Sequence, residues 1–264
     1  MLAKLLKYDL KKSIKFFVIM YALIIGFAVI GRLCAESTEI TFFVIVREIC
    51  SGGIWAVIAN LLINNILRLW ANFRRSLYGD ESYLTHTLPI KTSTVYWSKF
   101  ITATIILILN IVFSVLALVI DRGGTEIMET LNNLLPEISA TLGFSTAGFA
   151  LSFISIIFIE MLTIITTGFL AYIIGFRKND NKMGWSAFYI FAIYVAVQIF
   201  IILLILLTGV FNHDMLTIFT EKSSDVNLSL VAPAITICLI GYTIAVPIFS
   251  LISVKLLNRG VDIE

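Results

Sequence analysis

Six long apolar runs, at 16–33, 54–70, 100–120, 150–176, 185–211 and 228–256, constrain this chain more than any other feature. A helix rising 1.5 Å per residue needs ~20 apolar residues to cross a ~30 Å hydrocarbon layer, and each run is long enough to serve. With 59% hydrophobic and 14% charged residues and a mean hydropathy of +0.99, the chain has too little polar surface for a water-soluble globule. Barrel strands run ~10 residues with strict alternation, whereas these runs are continuous. The expected fold is an all-α integral membrane protein with six transmembrane helices, in a single domain over residues 1–264 without linker, low-complexity tract or internal repeat.

Basic residues near span ends stay on the cytoplasmic side. Counting span ends with their loops, 15 of the 19 Lys and Arg lie on one face: Lys4, Lys7, Lys11, Lys12, Lys15, Arg68, Arg74, Arg75, Lys91, Lys99, Arg177, Lys178, Lys182, Lys255 and Arg259. Arg32, Arg47, Arg122 and Lys222 remain for the other. Both termini are therefore expected on the cytoplasmic side. Within residues 1–15, Lys4, Lys7, Lys11 and Lys15 share one helical face and Leu2, Leu5, Leu6 and Leu10 the opposite one, the pattern of an interfacial amphipathic helix that turns into the first span. The alternative is that it extends that span. A second interfacial helix is expected over 40–50, hinged at Ser51-Gly52-Gly53; otherwise the second span starts at Thr41 and runs ~45 Å.

Several chemistries lack their residues. No G-x-x-x-x-G-K-[ST] phosphate cradle, H-E-x-x-H zinc motif or G-x-S-x-G elbow occurs. The two histidines, His86 and His213, fall on opposite sides of the expected topology. The chain is expected not to be an enzyme, to hold no metal or cofactor of its own and to bind no nucleic acid. Cys34, Cys50 and Cys238 form no disulfide framework; one bond between the first two is conceivable, with free thiols the default.

Polar groups inside hydrocarbon need a partner or a wet cavity. Glu160 stands mid-span, Asn60 and Asn64 stack on one face of the second span with Asn65 alongside, and Gln198 lies in the fifth. Asn60, Asn64, Glu160 and Gln198 are the candidate translocation-pathway residues; interhelical packing is the competing account of each. Gly143, Ala147, Gly148 and Ser152 offer a small-residue packing surface, and Pro233 and Pro247 are expected to bend the last span.

The connection over 71–98 carries the most distinctive sequence. A short helix there can project into a soluble partner, with Tyr83, Leu84 and Leu88 as apolar anchors, Arg74, Asp80 and Glu81 as a polar rim and Pro89 as the helix stop. The stretch Tyr83-Leu84-Thr85-x-Thr87-Leu88-Pro89, then Ser98-Lys99, resembles the cytoplasmic loop of bacterial type-two ABC exporter permeases, particularly Gram-positive ones. The opening Leu5-Leu6-Lys7-Tyr8-Asp9-Leu10-Lys11-Lys12 is similar to theirs also. One departure is Glu81-Ser82 where that family often has Glu-Gly. The resemblance implies a coupling helix between spans two and three, contacting an ABC ATP-binding subunit through Asp80, Glu81, Tyr83, Leu84, Thr87, Leu88 and Pro89. Two such subunits, carrying ATP and Mg, would pair with two permeases, this chain and a second copy or a paralogue. The implied cargo is an amphipathic peptide, such as an antimicrobial peptide, or a lipid-like molecule. The alternatives are a non-transporting adaptor or assembly protein docking a soluble partner through the same loop, and an ion-coupled carrier, which the absent repeat disfavours.

Overall fold

The computed structural model describes residues 2–35, 40–79, 82, 91–123, 129, 146–211 and 231–259. Six helices account for nearly all of them: α1 (Leu2–Ala35), α2 (Thr41–Tyr78), α3 (Thr92–Arg122), α4 (Thr146–Gly175), α5 (Lys182–Phe211) and α6 (Val231–Leu257). Each is long and apolar enough to cross a membrane, and no strand occurs among the described residues. The protein is a multi-pass helical membrane protein.

The chain divides into two compact units, 1–73 with 88–131 and 74–87 with 132–264. The first unit contains α1, α3 and α2 as far as Phe73. Buried positions on α1 recur at Phe17, Tyr21, Ile24, Ala28 and Gly31, the alternating steps of four and three that keep one seam facing a partner helix. That partner is α3, which buries Ala103, Ile106, Asn110 and Ala117. Glycine permits a close approach at the far end of this seam. A Cβ on Gly31 would lie 2.6 Å from Asp121 Oδ1 and 3.4 Å from Cys50 Cβ. α3 ends at Gly123, whose N–H still donates to Val119 O at 3.0 Å and whose φ of 77°, a value glycine adopts freely, turns the chain out of the helix. α2 joins through side chains: the Arg68 guanidinium carbon stands 3.4 Å from the Phe16 ring centre, and Phe73 meets Tyr96 edge to face.

In the second unit α4 is central. Most side chains from Leu162 to Ala171 are buried, because both α5 and α6 pack against it. Two of its threonines remain compatible with an apolar setting by bonding back one turn, Thr163 to Ile159 O at 2.8 Å and Thr166 to Leu162 O at 3.0 Å, whereas buried Thr167 Oγ1 has no partner among the described residues. The α4–α5 turn is tight. Asn181 takes φ 45° and its Oδ1 accepts the Gly184 N–H at 3.2 Å, starting α5, while Arg177 Nη2 donates to Leu256 O at 2.6 Å and caps the end of α6.

The helices correct three expectations. Residues 2–15 are not a separate helix; they continue into the span as the first third of α1. Asp9 and Ser13 explain the continuity, since Asp9 bonds α3 and buried Ser13 Oγ accepts from Asn72 Nδ2 on α2 at 3.4 Å. Likewise 40–50 is no hinged interfacial helix, because α2 runs from Thr41 straight through Ser51-Gly52-Gly53. In hydrocarbon, glycine keeps its helical hydrogen bond for lack of any alternative partner, and Gly53 leaves room for the Phe27 ring, 3.4 Å from where its Cβ would be. Pro233 lies in the first turn of α6, where its missing N–H costs little; Pro247 is the interior proline.

Candidate functional site

The strongest polar constellation in the first unit joins two segments far apart in sequence. Asp9 on α1 accepts Ser98 Oγ at 2.9 Å and Lys99 Nζ at 2.5 Å, both from the second turn of α3. An ionised carboxylate with a hydroxyl and an ammonium makes charge-assisted bonds, the strong kind. Higher on the same seam, Tyr21 OH donates to Asn110 Oδ1 at 2.6 Å, and the Tyr21 ring stacks on Phe113 at 4.2 Å. At the opposite end, buried Asp121 lies within electrostatic reach of Arg122, Arg47, Glu48 and Arg32. Cys34 and Cys50, also in this unit, are buried free thiols, and Cys238 is free as well.

Of the candidate pathway residues, Asn60 and Asn64 belong to the first unit. They satisfy each other on an exposed stretch of α2, with Asn64 Nδ2 donating to Asn60 Oδ1 at 2.6 Å and to Asn60 O at 3.1 Å. Their neighbour Asn65 is the more demanding residue. It is fully buried, and neither atom of its amide has a hydrogen-bond partner among the described residues. Asn110 Nδ2 is likewise unpartnered. Leaving such groups dry costs ~1–3 kcal/mol each, which favours a water or a polar ligand beside them.

Glu160 and Gln198 belong to the second unit. Gln198 Nε2 on α5 donates to Tyr242 OH on α6 at 3.1 Å, and half-buried Glu160 on α4 is in electrostatic range of Tyr242 and Cys238. Tyr242 therefore links the two expected residues; no carboxylate or amide marks it in the sequence, and only helix rotation brings it there. Beside it an apolar groove of about 310 Å³ runs between α5 and α6, lined by Val197, Phe200, Ala245 and Phe249 among others. Asn60 and Asn64 thus pair within the first unit, while Glu160 and Gln198 share Tyr242 as a neighbour within the second.

The connection expected over 71–98 is helical at both ends: α2 continues to Tyr78 and α3 begins at Thr92. Asp80, Glu81, Tyr83, Leu84, Thr87, Leu88 and Pro89 lie outside the described residues, as do His86 and His213. Ser82 is described and buried, its N–H donating to Gly79 O at 2.8 Å. Just before it, Tyr78 stacks on Phe176 at 4.4 Å and Arg74 Nη1 stands 3.0 Å from Met183 Sδ. These contacts tie the end of α2 to the α4–α5 turn within the second unit. No group of three or more His, Cys, Asp or Glu able to hold a metal occurs among the described residues. No protein-family model, curated protein or solved structure matches the chain.

Proposed function

We propose that this chain is the membrane-spanning permease subunit of an ATP-driven ABC exporter in the bacterial cytoplasmic membrane, with both termini inside. The observation that carries the reading is the Asp9–Ser98–Lys99 cluster. The opening Leu5–Lys12 motif and the Ser98-Lys99 motif each resemble type-two exporter permeases separately; their joining by an ion pair gives both motifs one physical role. They clamp α1 to the start of α3, immediately after the segment 83–89 that resembles a coupling helix. A rigid α3 base lets a push on that segment reach the membrane helices. ATP on a partner can bias the permease only by binding its two states unequally, which requires such a transmitter.

ATP and Mg belong to a separate ATPase, present in two copies and docked through Asp80, Glu81, Tyr83, Leu84, Thr87, Leu88 and Pro89. A second permease, identical or paralogous, completes the assembly. The apolar α5–α6 groove beside the Gln198–Tyr242 pair supports an amphipathic cargo, a peptide or a lipid-like molecule, with Glu160 and Gln198 as its polar contacts in the second unit and Asn60 and Asn64 in the first. The test is affinity purification of the tagged chain from its native membrane with an ATPase assay. A stoichiometric ATP-binding subunit should be recovered, and Leu84→Asp or Leu88→Asp should release it while the permease stays inserted. Reproducible recovery of the chain alone, without ATPase activity, would instead favour the adaptor or carrier.

A further inference from the structure

In the second unit, a groove of about 530 Å³ opens where α2 ends, α4 ends and α5 begins, lined by Arg74, Arg75, Tyr78, Phe176, Lys182 and Met183 among others. Three of these side chains are cationic, and no carboxylate lines the groove among the described residues. Asp180 in the adjoining turn is exposed and is not part of the lining. Besides Gly79 and the amide of Asn181, the remaining wall is apolar: the Tyr78–Phe176 stack forms one side and Met183 another.

Depth identifies the kind of ligand. The apolar stretches of α4 and α5 stop at Gly175 and start at Lys182, so the groove sits where hydrocarbon gives way to headgroups. Around it stand aromatic side chains of the sort that anchor at that level: Trp185, with Lys178 Nζ 5.4 Å from its ring centre, and next to it Phe188 and Tyr189. A ligand suited to this place carries a phosphate for the cations and an apolar body for the ring stack. Basic pockets between helix ends at this depth are the sites anionic headgroups take. An acidic protein surface would satisfy the charges, but would leave the Tyr78–Phe176–Met183 wall without a complement.

We propose that this groove is a binding site for the phosphate of an anionic phospholipid, whose glycerol and upper chains lie against Tyr78, Phe176 and Met183. The site is independent of the exporter reading, since it requires neither the ATPase nor a cargo. Arg74 and Arg75 hold the phosphate from α2, and Lys182 from the first turn of α5, the positive end of that helix's dipole.

The test uses the purified full-length chain in a neutral detergent and native mass spectrometry, titrating short-chain phosphatidylglycerol, short-chain phosphatidylcholine and inorganic phosphate in parallel. Phosphatidylglycerol should bind saturably and more tightly than either of the others. Each cation removed should weaken it about fivefold, from ~1 kcal/mol per basic residue near a headgroup. Arg75→Gln, at an exposed residue, should therefore show a fivefold loss, and the triple R74Q/R75Q/K182Q variant roughly 100-fold. Lys11→Gln with Lys15→Gln, which removes two charges from the first unit, should leave the affinity within about twofold. Equal weakening by that control pair would overturn the site in favour of general attraction. Inorganic phosphate binding as tightly as the lipid would overturn the lipid as its source, and unchanged affinity in both Arg75→Gln and the triple variant would overturn the proposal altogether.

Discussion

The Asp9 cluster permits a quantitative test. Asp9→Asn removes the ion pair with Lys99 and keeps an oxygen able to accept from Ser98. A hydrogen bond to a charged group contributes ~1.5–3 kcal/mol, so the two bonds together represent roughly 3–6 kcal/mol if fully buried. The side chains of Lys99 and Asp9 retain 13% and 15% exposure, and the Ser98 bond survives in weakened form. The loss expected for Asp9→Asn is therefore about 2–3 kcal/mol. At ~2–4 °C per kcal/mol for a chain of this size, Tm should fall by about 5–10 °C. Lys99→Met should cost a similar amount, because it strands the carboxylate. The double variant strands neither charge, so it should be about 1–2 kcal/mol more stable than the sum of the singles requires. Unfolding of the three variants in one detergent, followed by tryptophan fluorescence, gives the cycle. Single losses that add within ~0.5 kcal/mol would mean that the two groups do not interact in the folded protein, and would remove the clamp from the functional argument.

Other contacts yield sharper single outcomes. Tyr21→Phe leaves Asn110 without any partner, since its Nδ2 already has none among the described residues. It should cost ~1–3 kcal/mol, most of it recovered by adding Asn110→Leu, as read from the same unfolding assay. Gly175→Ala places a Cβ 2.6 Å from the backbone nitrogen of Ser186, which cannot yield as a flexible side chain would. A loss of ~1–3 kcal/mol is expected, with lower folded yield in size-exclusion chromatography. Glu160→Gln keeps the shape of the α4 side chain and removes its charge. On the proposed exporter function, cargo-stimulated ATPase activity of the complex should drop while membrane expression holds, and a fall in expression alone would make Glu160 a packing residue.

The number of spans is legible in the sequence because hydropathy reports the transfer of side chains into hydrocarbon, and that cost fixes which segments cross. Helix ends are not, because they depend on backbone hydrogen bonding and on partners elsewhere. Ser51-Gly52-Gly53 reads as a hinge by the habits of water-exposed chains, yet lies inside α2. Lys4 to Lys15 read as a surface helix by their two faces, yet Asp9 and Ser13 on the same segment meet α3 and α2. Pairing of polar residues is harder still. α5 is apolar nearly all round, so nothing in its pattern states which way Gln198 points, and Tyr242 as its partner emerges only once α5 and α6 are rotated against each other. Asn65 stands beside Asn64 in the sequence, but the self-contained Asn60–Asn64 pair and the buried Asn65, without a partner among the described residues, have the reverse of the prominence their spacing suggests.

The pairing of α1 with α3 also sets a schedule for biogenesis. Asp9 and Ser98, like Tyr21 and Asn110, are 89 residues apart, and synthesis at ~5–20 residues per second separates the emergence of such partners by roughly 5–20 s. During that interval α1 enters the bilayer with Asp9 held at the water boundary and the Tyr21 hydroxyl unpaired. The first unit closes only when α3 arrives, after α2 has already been threaded. α4 and α5, joined by a turn of a few residues and in backbone contact at Gly175 and Ser186, can pair almost as soon as both exist. The α1–α3 seam is thus left open for longer than the α4–α5 pair, and a quality-control protease would find it in that interval.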